Sequence, residues 1–202
     1  MPSFDKSQKL FSKYNKIKLL GLGKEGKTYL VSNIKGKQYA MKTFKPRKSS
    51  RKIYNEVSLQ KRVQNKKICP KILDYNLDEK YIVMEKMDKH LLDVINSKGL
   101  NKKNQLRLID IFKILDEKGV FHDDANLANY MIKNDEIYII DFGYAKKIDE
   151  KLIRKLGTDN PNLKLMTIGL ILKLKELQVP EKSYKYLIKH VSKVDIQRFN
   201  LI

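Results

Sequence analysis

The stretch from His122 to Gly143 constrains this chain more than any other. It opens with His122-Asp123-Asp124-Ala125-Asn126-Leu127-Ala128-Asn129 and closes with Asp141-Phe142-Gly143. Between them, residues 130–140 form an apolar run broken by Asn134-Asp135-Glu136, which reads as strand, turn, strand. A hairpin brings its two ends together. Asp124 and Asn129 on one side and Asp141 on the other therefore converge at its mouth. Convergent carboxylate and amide oxygens suit a hard divalent cation carried on a nucleotide, as Mg²⁺ is.

The chain has 202 residues, 42% of them hydrophobic, enough for one large domain or two small lobes sharing an interface. No apolar run approaches the ~18–20 residues of a membrane span, and neither end reads as a signal peptide. Met1-Pro2 lacks the glycine that myristoylation needs. Cys69 is the only cysteine, which excludes a disulfide framework and a thiolate zinc site. An intracellular, cytoplasmic protein without membrane attachment is expected. The net charge of +20 has two readings. One is contact with RNA, an acidic protein partner or a phosphorylated ligand. The other is a solvated lysine-rich surface.

Residues 14–44 alternate like strands. The Lys35-Gly36-Lys37 turn separates Lys27–Asn33 from Gln38–Phe44. Ser49–Gln64 has helical spacing with Ser49 or Ser50 as N-cap. Ile72–Asn76 and Lys80–Met84 read as two further strands. Beyond Met87 the chain turns helical. Lys102–Lys118 forms a buried helix stopped by Gly119, Leu163–Leu177 an apolar helix, and Ser183–Ser192 a last amphipathic one. A β-rich lobe (about 1–84), a hinge (85–88) and a helical lobe (89–202) make one domain of α+β class. The cleft between such lobes is a preferred ligand site.

Gly21-Leu22-Gly23-Lys24-Glu25-Gly26 lies between two strands, not between a strand and a helix, which argues against a Rossmann site. Glycines in such a turn let backbone N–H groups approach phosphate oxygens. Lys42 ends the next strand, where a mobile ammonium can reach a phosphate. Glu56, in the middle of the predicted helix, is the only carboxylate between Lys42 and Asp74. It is the expected partner of Lys42.

In this order the parts resemble the protein kinase superfamily, from about Tyr14 to Gly143. Tyr39-Ala40-Met41-Lys42 is similar to Val-Ala-Ile-Lys, Glu56 to the helix-C glutamate, and Tyr81–Glu85 to the strand entering the hinge, with Met84 as gatekeeper. His122-x-Asp124-x4-Asn129 resembles the catalytic loop and Asp141-Phe142-Gly143 the metal-binding triplet. The resemblance implies a bilobal kinase-like fold and an ATP- and Mg²⁺-dependent serine/threonine kinase acting on a protein substrate. It implies that amides around Gly21, Gly23 and Gly26 cover the phosphates and that Lys42, positioned by Glu56, contacts them. Asp141 and Asn129 would hold Mg²⁺, and Asp124 would accept the acceptor's proton. Leu20, Thr28, Ala40 and Met131 would surround adenine, with the hinge at Glu85–Met87 reading its edge. His122 is expected to be structural.

The pattern also departs from the family. Asp123 stands where an arginine usually binds a phosphorylated activation loop, and Asn126 where a lysine usually contacts the γ-phosphate. Only 59 residues follow Gly143, with no Ala-Pro-Glu motif. A truncated helical lobe follows, similar to RIO-like kinases, the tRNA-threonylcarbamoyl-complex kinase, or viral and bacterial effector kinases. Within Leu163–Leu177, Lys164 falls at the aligned position of an anchoring aspartate, leaving Asp159 or Asn162 to substitute. Two other functions stay open: an ATPase or regulatory subunit in an RNA-linked complex, and an effector that binds a partner protein.

Overall fold

The computed structural model of the protein describes residues 13–95 and 99–201. The first twelve residues of the expected β-rich lobe lie outside that range. Five strands follow: β1 (Asn15–Leu22), β2 (Gly26–Ser32), β3 (Gln38–Phe44), β4 (Ile72–Asn76) and β5 (Tyr81–Met84). They form one antiparallel sheet in the order β1-β2-β3-β5-β4.

The pleat sorts their side chains. Tyr29, Val31, Met41, Tyr81 and Val83 gather on one face. Phe44, Ile72 and Ile82 gather on the other, where Ile53 and Val57 of helix α1 (Ser50–Gln64) cover them. Ser49 caps α1 by accepting from the Lys52 N–H. The spacing of Ile53, Val57 and Leu59 seats this helix so that Glu56, one turn from Ile53, is buried under the sheet.

The second lobe is built on α2 (Lys102–Glu117), whose Leu108, Ile111, Phe112 and Leu115 lie in the largest core cluster. Gly119, at φ +65°, ends it in a left-handed conformation that only glycine adopts without strain. The short β7 (Val120–Phe121) leads into the His122–Asn129 loop. The expected hairpin follows as β8 (Tyr130–Lys133) and β9 (Glu136–Ile139), with β6 (Lys89–His90) beside β8. Its turn residues Asn134 and Asp135 both have positive φ, the geometry that matches the right-handed twist of the strands. After Gly143, β10 (Lys146–Lys147) returns to pair with β7. Helix α3 (Glu150–Leu156) and a wide turn of π type at Asn162–Met166 lead into α4 (Thr167–Glu176).

The expected helix over Ser183–Ser192 does not form. Tight 3₁₀ turns occupy Glu181–Ser183 and Ile188–His190, and the last helix, α5, is Lys193–Arg198. The buried Gln105 is the reason. Its amide donates to the Lys182 carbonyl and accepts from the Tyr186 N–H, claiming backbone groups that a helix would pair internally. Ser192 then caps α5 instead of ending the preceding segment. Among the described residues, no helix is long and apolar enough to cross a membrane.

Candidate active site

The two lobes meet at three of the expected residues, Lys42, Glu56 and Asp141. Strand β3 delivers Lys42, which donates to Glu56 Oε1 at 2.6 Å and to Asp141 Oδ1 at 2.7 Å. Burial alone would lower the Lys42 pKa. The two carboxylates outweigh it and hold the ammonium above its ordinary value. Burial likewise pushes Asp141 up, but Lys42 overrides it, so the carboxyl titrates below the ordinary range. Asp141 sits at φ +63°, a left-handed conformation that costs a non-glycine residue about 1–2 kcal/mol. Its Oδ1 also accepts from the Gly143 N–H at 3.3 Å.

The glycines of the β1–β2 turn divide by role. A Cβ at Gly26 would lie 1.8 Å from the Thr43 carbonyl oxygen, so the close approach of β2 to β3 demands glycine there. A Cβ at Gly21 would meet nothing within 4 Å, and one at Gly23 only an ordinary contact at 3.7 Å. The packing therefore gives no reason for glycine at either position. Across the sheet, Ala40 pairs with Met84, and Met84 packs against the Phe44–Ile53 cluster. Thr28 pairs with Lys42, and Leu20 is exposed on β1. Glu85 is tied by backbone and side chain to Lys71 and by an ion pair to Lys133. The Met87 side chain is buried, leaving its backbone as the part that a ligand could read. Met131 lies on β8 opposite His90 and Tyr138.

In the loop, Asp124 is half-buried and its Oδ1 accepts from the Asn126 N–H at 3.1 Å. Asn126 is spent on structure: it caps the 3₁₀ turn Leu127–Asn129 through the Ala128 N–H. Asn129 is buried, and its amide nitrogen has no hydrogen-bond partner. That buried donor suits an acceptor such as a phosphate oxygen, while the Asn129 Oδ1 is the atom that could take a metal. Among the described residues, no cluster of three His, Cys, Asp or Glu side chains could hold a metal alone. A Mg²⁺ here would draw its other ligands from phosphate and water.

His122 is fully buried and stacks edge-on against Phe142, with ring centroids 5.0 Å apart. Its Nε2 bonds the Ile140 carbonyl oxygen at 3.0 Å. Burial drives its pKa below the ordinary value, so the ring is neutral, with Nε2 as donor. Asp123, at φ +61°, forms an ion pair with Lys146. Where an arginine would await a phosphate, this chain pairs an aspartate directly with a lysine of β10.

Of the two anchors considered, Asn162 takes the part. Its Oδ1 accepts from the His122 N–H at 2.9 Å, and its Nδ2 donates to the Val120 carbonyl at 2.7 Å and to Asp116 Oδ1 at 2.6 Å. Asp116 also accepts from the Asn162 and Leu163 N–H groups, capping the wide turn. Lys164 points instead toward Asp195. Three partners were not legible in the sequence. Asp116 is one. Gly169 is another: a Cβ there would lie 2.7 Å from Ala125 Cβ, so the absence of a side chain lets α4 press against the loop. The third is Lys48, a buried ammonium bound to Glu25 and Glu56. It stands in the basic run Lys45-Pro46-Arg47-Lys48, where a charge reads as surface.

Comparison with known proteins decides the family. The protein kinase domain model matches residues 14–160. This chain belongs to the protein kinase family. It is similar to the serine/threonine-protein kinase MPS1 of Saccharomyces cerevisiae, 26% identical over 170 residues that cover 74% of this chain and 22% of that protein. Serine/threonine-protein kinase dkf-1 of Caenorhabditis elegans is 27% identical over 164 residues, covering 71% of this chain and 23% of its own length. The probable serine/threonine-protein kinase YbdM of Bacillus subtilis is 25% identical over 143 residues, covering 64% and 56%. The chain thus spans less than a quarter of the first two relatives. A crystal structure of the PF14_0431 kinase domain matches the fold with a TM-score of 0.60 at 22% identity, covering 74% of this chain and 56% of that one. The kinase fold is present here as a β-sheet lobe followed by a helical lobe.

Proposed function

We propose that this chain is a minimal, ATP- and Mg²⁺-dependent serine/threonine protein kinase. One observation carries the reading: the Lys42 ammonium is shared between Glu56 and Asp141 at hydrogen-bonding distance. That arrangement fixes a cation between a helix carboxylate and the carboxylate of the Asp141-Phe142-Gly143 triplet. Asp141 and Asn129 are the residues that would hold Mg²⁺, which supplies positive charge to the phosphates when bound. Lys42 adds a second fixed charge. The Gly23 N–H already donates to the Gly26 carbonyl at 2.9 Å, so the missing Cβ atoms at Gly21 and Gly23 would open the turn's other N–H groups to the phosphates. Leu20, Ala40, Met84 and Met131 offer apolar surface to the base.

In the transfer, an acceptor hydroxyl oxygen attacks the γ-phosphorus and the bond to the β-phosphate oxygen breaks. ADP leaves, and the hydroxyl proton passes to Asp124. Most of the rate comes from positioning and electrostatic stabilisation. Asn126 is neutral and occupied as a cap, so a cationic contributor common in the family is missing and turnover is slow. The net charge of +20 favours an acidic acceptor or partner protein. RNA contact is the second reading, supported by the same charge. Binding that vanishes with modest salt would reduce it to non-specific attraction. The direct test is incubation with γ-labelled ATP, Mg²⁺ and acidic or basic protein acceptors. Labelling of acceptor or of the chain itself is expected. Nucleotide binding without any labelling would count against the reading.

A further inference from the structure

The charges behind the cleft form a longer chain than the family pattern requires. Glu56 is 2% exposed and uses both oxygens, Oε1 for Lys42 at 2.6 Å and Oε2 for Lys48 at 2.8 Å. Lys48 is 6% exposed, and its ammonium also holds the Glu25 carboxylate. Glu25 belongs to the glycine turn between β1 and β2, and its backbone carbonyl accepts from the Lys45 N–H at 2.8 Å. Acids and bases thus alternate from Glu25 through Lys48, Glu56 and Lys42 to Asp141. Both ends of this chain meet at the triplet: Asp141 belongs to it, and a Cβ at Gly143 would lie 3.3 Å from Glu25 Oε2 and 3.5 Å from Glu56 Oε2. Lys48 therefore separates two carboxylates that would otherwise face each other across Gly143.

We infer that Lys48 is a second positioning lysine, which clamps the glycine turn to α1 and shares Glu56 with Lys42. Two physical consequences follow. Without the Lys48 ammonium, repulsion between Glu25 and Glu56 lifts the glycine turn off the cleft. Glu56, left with one partner, also competes with Asp141 and the nucleotide phosphates for Lys42. Lys48 touches neither substrate nor reacting atoms, so its effect falls on nucleotide affinity and loop order before it falls on chemistry. Its ammonium also lies over the Phe44 ring, 4.5 Å from the centroid.

The inference rests on the kinase reading for its nucleotide arm, and the test separates the two. The full chain carrying Lys48→Met, Lys48→Arg, Glu25→Gln or Lys48→Met with Glu25→Gln is compared with wild type. The readouts are affinity for a fluorescent ADP analogue, labelled phosphate transfer and amide hydrogen exchange across residues 21–26. Lys48→Met should weaken nucleotide binding about tenfold and speed loop exchange, since coupled charges contribute on the order of 1.4 kcal/mol. Lys48→Arg should stay within about threefold of wild type, because the charge is kept. Adding Glu25→Gln to Lys48→Met should restore part of both losses by removing the repelling carboxylate. Unchanged affinity and exchange in Lys48→Met overturns the inference. So does a double variant as impaired as the single one. If Lys48→Met does not fold, Glu25→Gln alone carries the test, with faster loop exchange expected and wild-type exchange refuting. A wild type that binds no nucleotide defeats the kinase reading instead, and the exchange arm still decides the clamp.

Discussion

Asn162 offers the sharpest stability test, because the family pattern and this structure predict opposite results for one substitution. Its side chain is fully buried and makes bonds to His122 N–H, Val120 C=O and Asp116 Oδ1. Asn162→Ala leaves the His122 and Val120 backbone groups buried without partners. Each orphan costs about 1–3 kcal/mol, so a loss of roughly 3 kcal/mol is expected. In a chain of this size that lowers Tm by about 6–12 °C. Asn162→Asp restores the residue type expected of the family's anchor. Here it should be worse than alanine at pH 7. One oxygen keeps the His122 N–H, but the other replaces an amide that lies 2.6 Å from Asp116 Oδ1 and 2.7 Å from the Val120 carbonyl. Burial already pushes the Asp116 pKa up against its hydrogen bonds, so a second carboxylate finds little solvation to draw on. Part of the loss should return as pH falls toward 5 and the two carboxylates share a proton. Urea denaturation of both variants at pH 7 and pH 5 measures this. An Asn162→Asp variant as stable as wild type at pH 7 would refute the assignment of Asp116 as the opposing group.

Two further outcomes follow from named geometry. His122 is neutral in the fold while the unfolded chain binds a proton near pH 6.5. Its contribution to stability is complete above that value and is lost as pH falls toward the depressed folded pKa. His122→Gln should therefore remove a slope of up to about 1.4 kcal/mol per pH unit below pH 6.5; equal slopes in denaturant titrations of both proteins would show that the ring is not buried neutral. Gly26→Ala drives a Cβ to 1.8 Å from the Thr43 carbonyl and should cost more than about 2 kcal/mol, whereas Gly21→Ala should cost under about 0.5 kcal/mol of stability while weakening nucleotide binding. Thermal melts with and without nucleotide separate the two glycines.

What the sequence made legible was local. The alternation in residues 14–44, the turn at Asn134-Asp135 and the Ser49 cap depend on neighbours in the chain, and each element forms where its residues place it. The Lys42–Glu56 pairing could be read because Glu56 had no rival carboxylate nearby, and the structure brings the two together. Long-range capture was not legible. Gln105 reaches from α2 to unwind residues 182–186, and Asp116 reaches from the same helix to hold Asn162. Neither residue stands in a motif, and a glutamine or aspartate on an amphipathic helix reads as solvent-facing until its partner is known. Lys48 was hidden for the opposite reason. It sits among Lys45, Arg47 and Lys52, where charge reads as surface, yet it is the one of these four that is buried. Asp123 was legible as a departure, but its pairing with Lys146 depends on β10 returning to β7.

The central claim is that this cleft moves the γ-phosphate of ATP with Asp124 as proton acceptor. The most direct measurement pairs labelled phosphate transfer with nucleotide affinity in wild type and Asp124→Ala. Wild type should transfer label. Asp124→Ala should bind nucleotide within about threefold of wild type and lose about 10²–10⁴-fold in transfer, the scale of a lost general base. Equal transfer by the two proteins, or a wild type that binds ATP and Mg²⁺ but labels nothing, would contradict it.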